Sequence, residues 1–423
     1  MSEVVEFYRQ QATNNQTAID WLARKQQSAI QKLVQGGFPS RRDEDWKYTS
    51  TDQWAGHRFS DKPTACEQPM AHSPCPLNTD MVIDVINGEI DVNQLDSFNL
   101  PEGVVCLPLR HAAEQYPELV QTYLATILAE EHGFHYLNTA YLKSGLFLYL
   151  PEQVQISSPI ILRHTNSRLG QNIQLRHVIA LSKASQASVV EYYQGAHQVD
   201  YFTNSITEVH LAESSILYHY KIQCESKAAY HVGHIAVRQM TNSQYQNHSL
   251  SLGGALVRSD LTINLDESQA QCLMNGIYAP GMSQHVDHHT TVFHHVSDCQ
   301  SRQDYKGILQ GDGHGVFNGR VVVSPGAVKT DAQQQNKNLL LSPRAEIDTK
   351  PQLEIFADDV VCSHGATVGQ LEEDALFYLE TRGINRAEAS RYLIHAFASE
   401  NLASVPHSEL KDWMTELLNQ HLG

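Results

Sequence analysis

From about Leu146 to Gly369 the chain is written in short apolar–polar alternations, such as LFLYL, QLRHVIAL, SVVEYY, ITEVHL, SILYHYKI and LTINL, and helix-length patterns vanish for more than 200 residues. Alternation with period two puts every second side chain on one face of an extended strand. Each run is bounded by Gly, Asn, Ser or Asp, the residues that turns select. The stretch therefore predicts an all-β body of many short strands, in the form of a sandwich, barrel or solenoid. Length separates these. A sandwich of so many strands would normally divide into two domains with a visible linker, whereas stacked rungs extend a single core indefinitely, so a solenoid is expected although no clean period is visible.

Helical patterns flank this body. Ile19, Leu22, Ala29, Ile30, Leu33 and Val34 recur at helical spacing, and Gly36-Gly37 with Pro39 supplies a stop. Pro63, Pro69, Pro74 and Pro76 predict a linker or wrapped loop. A second helix is expected from Pro117 through Leu119, Val120, Tyr123, Leu124, Ile127 and Leu128 to a stop at Gly133. After Gly369 three more follow. Leu371, Ala375, Leu376 and Leu379 make one face closed by Gly383; Asn385 with Glu388 resembles an N-terminal cap for a helix carrying Ala389, Tyr392, Leu393, Ala396 and Phe397; Leu410, Trp413, Met414, Leu417 and Leu418 mark the last. The expected organisation is a mainly helical region with a Pro-rich linker over 1–145, a β core over 146–369 and a helical domain over 370–423.

Composition removes several classes of function. With 30 Lys+Arg against 47 Asp+Glu the formal charge is −17, and no basic run offsets it, so a generic nucleic-acid binder is excluded. No stretch reaches the roughly 18 consecutive apolar residues of a membrane span, and MSEVVEFYRQQ lacks the basic flank and apolar core of an export signal. A cytoplasmic protein is expected. Seven cysteines (66, 75, 106, 224, 272, 299, 362) without a C-x-x-C pair indicate neither a disulfide framework nor a zinc ribbon.

The densest chemistry is FADDVVCSHGATVG, residues 356–369. Cys362 and His364 stand two apart, which on a strand puts thiol and imidazole on one face, where both can approach a soft metal. Such metals usually take four ligands, so the pair alone is a half-site. The alternative is a buried Cys and a hydrogen-bonded His at a strand end, with Asp358 and Asp359 as edge or turn carboxylates. HVDHHTTVFHH places His285, His288, His289, His294 and His295 within eleven residues, but alternation sends His288 and His289 to opposite faces, so stacking and polar ladders are expected there rather than a metalloprotease site. GDGHGVFNG, residues 311–319, lacks the lysine and hydroxyl of a phosphate-binding loop and reads as a turn. There is no G-x-S-x-G nucleophile elbow.

Residues 301–384 join the blocks YKGIL, KTDAQQQNKNLLLS, TKPQLEI and ADDVVCSHGATVG in one order, and PSRRDEDWKYT stands at 39–49. In these blocks and their spacing the chain resembles the SufD proteins of the SufB/SufD family, which serve the SUF system of iron–sulfur cluster assembly. The resemblance implies a right-handed parallel β-helix flanked by N- and C-terminal helical domains. It implies a SufB-like partner joined through the β-helix, a SufC-like ABC ATPase joined through the C-terminal helices (Leu376, Phe377, Tyr392, Leu393, Phe397), and a homodimer when the partner is missing. It also implies a transient, nascent iron–sulfur cluster shared between Cys362 and His364 of this chain and the SufB-like subunit, with a reduced flavin as a further participant and no nucleotide on this chain. On that reading the chain is a scaffold subunit rather than an enzyme. The N-terminal C-x-x-C usual in SufB-like subunits is absent. Two other readings stand beside it: a purely structural scaffold with all chemistry in the partner, and a carbohydrate-active β-helix enzyme, for which no paired carboxylates are evident.

Overall fold

The computed structural model describes residues 2–62, 76–142 and 144–422. Cys66, Cys75 and most of the expected Pro-rich linker lie outside them. Three short strands come first, β1 (Val82–Ile86), β2 (Glu89–Ile90) and β3 (Val105–Pro108). The long series begins with β4 (Leu146–Leu150), β5 (Ile160–Asn166), β6 (Gln171–Leu181), β7 (Gln186–Gly195), β8 (Tyr201–Leu211), β9 (Ile216–Cys224), β10 (Tyr230–Gln239) and β11 (Gln244–Ser251). It continues with β12 (Leu256–Leu265), β13 (Gln271–Tyr278), β14 (His285–His294), β15 (Gln300–Leu309), β16 (His314–Val323), β17 (Asp331–Leu340), β18 (Glu346–Ile355) and β19 (Val361–Gly369).

From β4 onward each strand pairs in parallel with the strand two places on, so odd and even members build two separate sheets. The result is a parallel β-solenoid of about eight turns with helices at its N- and C-terminal ends. Both sheets begin with an antiparallel strand, β2 against β1 and β3 against β4. The rungs differ in length: 26 residues separate Tyr230 from its partner Leu256, 29 separate Leu256 from His285, and 32 separate His314 from Glu346. That variation hides the repeat from a search for a fixed period. Corners are tight, and several use a left-handed residue such as Ser214 (φ 58°) or Asn242 (φ 54°), whose N–H donates to a carbonyl of the next turn (Thr241 and Ser268).

Between the sheets, inward residues including Leu148, Ile179, Val209, Ile235, Ile263, Val292 and Phe317 form a continuous core. Each such side chain, fully buried, contributes about 1.5–3 kcal/mol relative to an exposed one. The outer face of the odd-numbered sheet carries a second cluster, in which Tyr192, Tyr220 and Ile277 meet Ile394, Leu402, Trp413 and Met414. These last residues belong to α8 (Arg386–Leu402) and α9 (Ser408–Leu422), which follow α7 (Glu373–Thr381). The C-terminal boundaries match the sequence expectation closely: Gly383 takes φ 84° after α7, and the Asn385 side chain accepts from the Glu388 N–H to cap α8.

The N-terminal region holds more elements than the sequence pattern marks. Helix α1 (Glu3–Asn14) precedes the expected α2 (Asp20–Gly36), and α3 (Asp52–His57), α4 (Leu109–Gln115), α5 (Pro117–Tyr123) and α6 (Gly133–Tyr141) follow, with β1 to β3 among them. The helix expected from Pro117 to Leu128 ends at Tyr123, because the Glu208 carboxylate of β8 accepts the N–H groups of Ala125, Thr126 and Ile127 and holds them out of helical register. Gly133, expected as a stop, instead begins α6, where a Cβ would lie 2.3 Å from the Gly37 carbonyl. Glu208 also pairs with Arg176 at 2.9 Å, both side chains at 1% exposure or less.

Candidate functional site at the terminal rung

Strand β19 is the last of its sheet, paired on one side with β17 and on the other with no strand among the described residues. Cys362 stands opposite Ala332 and His364 opposite Gln334. Ala332 and Gln334 are buried, so the face that bears Cys362 and His364 continues the solenoid interior to its open end. Period-two alternation thus brings the predicted thiol and imidazole to one face. Cys362 is half-buried against the cluster of Val321, Val323, Ala327 and Ala332, and burial pushes its thiol pKa up; His364 is exposed. In this chain alone Cys362 is therefore held as a thiol, and a metal or a neighbouring base must lower it before it can ligate. Asp359, expected at a turn, occupies a left-handed corner with φ 55° just before the strand.

The rim of the open end is apolar. Phe356 and Val361 are 62% and 65% exposed, with Ile355 and Val368 close behind. The sequence motif drew attention to the Cys and His but not to these residues, because an apolar residue in an alternating strand reads as core until the missing next rung is known.

The other candidates separate. In β14, His288 and His294 face inward, bonded to Ser251 and Ser301 at 3.1 and 2.9 Å, while His285 and His289 face outward beneath the N-terminal segment. The five histidines do not converge. Gly311 and Gly313 form a turn and His314–Gly319 enter β16. Of the remaining described cysteines, Cys106, Cys272 and Cys299 are buried and Cys224 is partly buried; burial pushes Cys106 and Cys224 up to about 12, and Cys272 and Cys299 upward as well. Of the C-terminal residues, Leu376 is buried, and Phe397 packs on the solenoid with Lys306 Nζ 4.9 Å from its ring centre. Leu393 is partly buried, whereas Phe377 and Tyr392 are exposed, together with Tyr378, which the sequence reading missed.

Two charged networks were also not foreseen. Inside the early rungs, Glu191 accepts from Thr207, Tyr193 and His219, and Glu225 from Thr203, Gln223 and His231. Burial would raise both carboxyls, but these donors and nearby cations hold them below the usual range. Under the N-terminal segment, burial likewise opposes ionisation of Asp287, yet Arg258 at 2.8 Å and His289 at 3.1 Å leave its carboxyl far below the usual range.

A parallel solenoid flanked by helices, whose last rung presents a thiol and an imidazole beside an apolar rim, defines the class as a β-solenoid protein with an exposed Cys–His edge. Residues 163–397 match the family described as the SUF system FeS cluster assembly SufBD core domain, and residues 2–162 match the SufBD protein N-terminal region. The chain is 30% identical over 401 residues to iron–sulfur cluster assembly protein SufD of Escherichia coli, covering 94% of this chain and 92% of that protein. It is 28% identical to the chloroplastic protein ABCI7 of Arabidopsis thaliana over 92% of this chain and 84% of that one, and 24% identical to SufD of Bacillus subtilis over 89% and 87%. The chain belongs to the SufB/SufD family of the SUF iron–sulfur cluster assembly system. No helix among its described residues is long and apolar enough to cross a membrane.

Proposed function

We propose that this chain is the SufD-like half of a SufBCD-type complex in the cytoplasm, and that a nascent cluster is built where its last rung meets a SufB-like subunit. The observation that carries the reading is the open rung itself: an unpaired edge strand with Cys362 and His364 on its inward face and Phe356 and Val361 exposed beside it. An edge of this kind recruits another strand or an apolar surface, and strand addition would continue both the sheet and the interior face across the junction. The partner would complete the ligand set that two donors leave unfinished. A second copy of this chain would occupy the same edge when the partner is missing.

The chain acts here as a non-catalytic scaffold. Phe377 and Tyr392 on α7 and α8 would dock a SufC-like ABC ATPase, which supplies nucleotide hydrolysis; a reduced flavin would belong to the complex rather than to this subunit. The test is anaerobic reconstitution with iron and sulfide, alone and with both partners, comparing wild type with His364→Ala by absorbance and Mössbauer spectroscopy. Cluster formation only in the complex, impaired by the substitution, is the expected result. Equal assembly without the imidazole would make this subunit purely structural, with the chemistry in its partner.

A further inference from the structure

Two groups of three metal-ligating side chains occur among the described residues away from Cys362 and His364, His164–His177–Glu191 inside the solenoid and His314–Glu346–Asp348 on its outer face. Counting protons separates them. In the inner group the Leu146 N–H donates to His177 Nδ1 at 3.0 Å, which places the hydrogen of the neutral ring on Nε2. His177 therefore has no lone pair left for a metal, and the Glu191 oxygens already accept from three neighbours. That group is not built for a metal.

In the outer group the count runs the other way. Asp287 is ion-paired to Arg258 at 2.8 Å, so it is an acceptor. Thr49 Oγ1 lies 2.5 Å from Asp287 Oδ2 and 2.8 Å from His285 Nε2. A hydroxyl has one hydrogen, and two oxygens this close need it between them, so Thr49 donates to Asp287 and must accept from His285 Nε2–H. The neutral His285 ring then offers a lone pair at Nδ1, and His314 Nδ1, 3.1 Å away, must be the N–H that points at it. What remains on His314 is Nε2, 2.9 Å from Asp348 Oδ2. That gap holds either a second proton or a cation to which both atoms give a lone pair.

We propose that His314, Glu346 and Asp348 form a binding site for a divalent first-row transition-metal ion, with His285, Thr49 and Asp287 as the chain that fixes the imidazole. Glu346 stands opposite His314 in register and Asp348 two residues along the same face of β18, and the three ligand atoms lie within 4.8 Å of one another. Nitrogen and oxygen ligands at about 2.0–2.2 Å from one ion are roughly 3–4 Å apart, so little movement is needed. No Lys or Arg pairs with either carboxylate among the described residues, which leaves two negative charges for the ion to neutralise. A ligating histidine that donates its other N–H into an anchored network is the usual support for such a site. One imidazole with two carboxylates and solvent access suits Zn²⁺, Co²⁺, Fe²⁺ or Mn²⁺ better than Mg²⁺. The ion would pin the terminal rung β18 to β16, and through Thr49 to the N-terminal segment.

The site is independent of cluster assembly and is tested without it. Full-length chain carrying Cys362→Ser is stripped with a chelator and titrated with Co²⁺, following the visible absorption of the ion and displacement by Zn²⁺. One ion should bind with a nitrogen–oxygen spectrum lacking a thiolate charge-transfer band, and excess Mg²⁺ should not displace it. His314→Gln and Asp348→Asn should each abolish that signal, and Thr49→Val, which touches no metal, should weaken affinity by roughly ten- to a hundredfold. Binding that survives His314→Gln, a thiolate band, or no binding by a chain whose circular dichroism is native would overturn the proposal.

Discussion

Strand β6, near the start of the solenoid, is buried at every residue, whereas β19 at the far end has no fully buried residue at all. Both ends carry polar groups on the inward face, and the cover makes the difference. At the start, antiparallel strands finish both sheets, α6 packs against β6 and β8, and Asn138 of α6 bonds the Leu175 and Asn204 carbonyls. Inward polar groups there bond one another in the Glu191 and Glu225 networks, and on the outer face Arg176 pairs with Glu208 beneath α6 and the 125–127 turn. At the far end no described strand covers β19, so its inward donors and edge amides are left open among the described residues. One architecture thus buries its polar residues at one end and leaves them exposed at the other.

The largest test of that contrast is Glu208→Ala. It strands the buried Arg176 guanidinium and frees the 125–127 turn, and is expected to cost about 3–5 kcal/mol, read from urea unfolding with a single-transition fit. Val361→Ser on the open rim should change stability by no more than about 0.5 kcal/mol. Equal small losses at the two sites would dissolve the distinction.

A pH series sharpens it. Burial disfavours the imidazolium of His234, His248 and His294, holding each at about 4, and of His288, held at about 3. Unfolded histidine titrates near 6.5, so on acidification the unfolded chain takes up protons first. Stability should be complete above about pH 6.5 and fall as pH drops from there toward 4, with the denaturation midpoint lower at pH 5 than at pH 7.5. His248, stacked on Tyr220 with neither ring nitrogen bonded, is the clearest contributor; His248→Phe should flatten the slope without lowering the neutral-pH midpoint. A midpoint independent of pH across this range would show that the buried imidazoles are not held neutral.

The smallest effect on stability, and the largest expected on the proposed association, is that of the exposed aromatics of the C-terminal helices. Removing residues 371–423 is too blunt a test of ATPase docking, because α8 and α9 bury Ile394, Trp413 and Met414 against the outer face of the odd-numbered sheet and their loss would expose its apolar cluster. Phe377→Ser with Tyr392→Ser, both on exposed positions, should leave unfolding within about 0.5 kcal/mol of wild type while abolishing co-purification of the ATPase. Undiminished co-purification would place that docking surface elsewhere.

Local pattern determined a great deal here. Period-two alternation specified the strands and put Cys362 beside His364 on one face, and glycine and asparagine chemistry set the ends of α7 and α8, since each of these depends on residues close in sequence. Tertiary structure decided the rest. The 117–128 pattern has helical spacing and is broken by a carboxylate from β8; β1 to β3, which carry few residues each, are defined by their pairing with β5, β1 and β4. His285, His314 and Asp348, spaced 29 and 34 residues apart, meet because rungs stack, and the rung length varies from turn to turn. Corner loops set that length one turn at a time, and the contacts they select exist only once neighbouring rungs are in register.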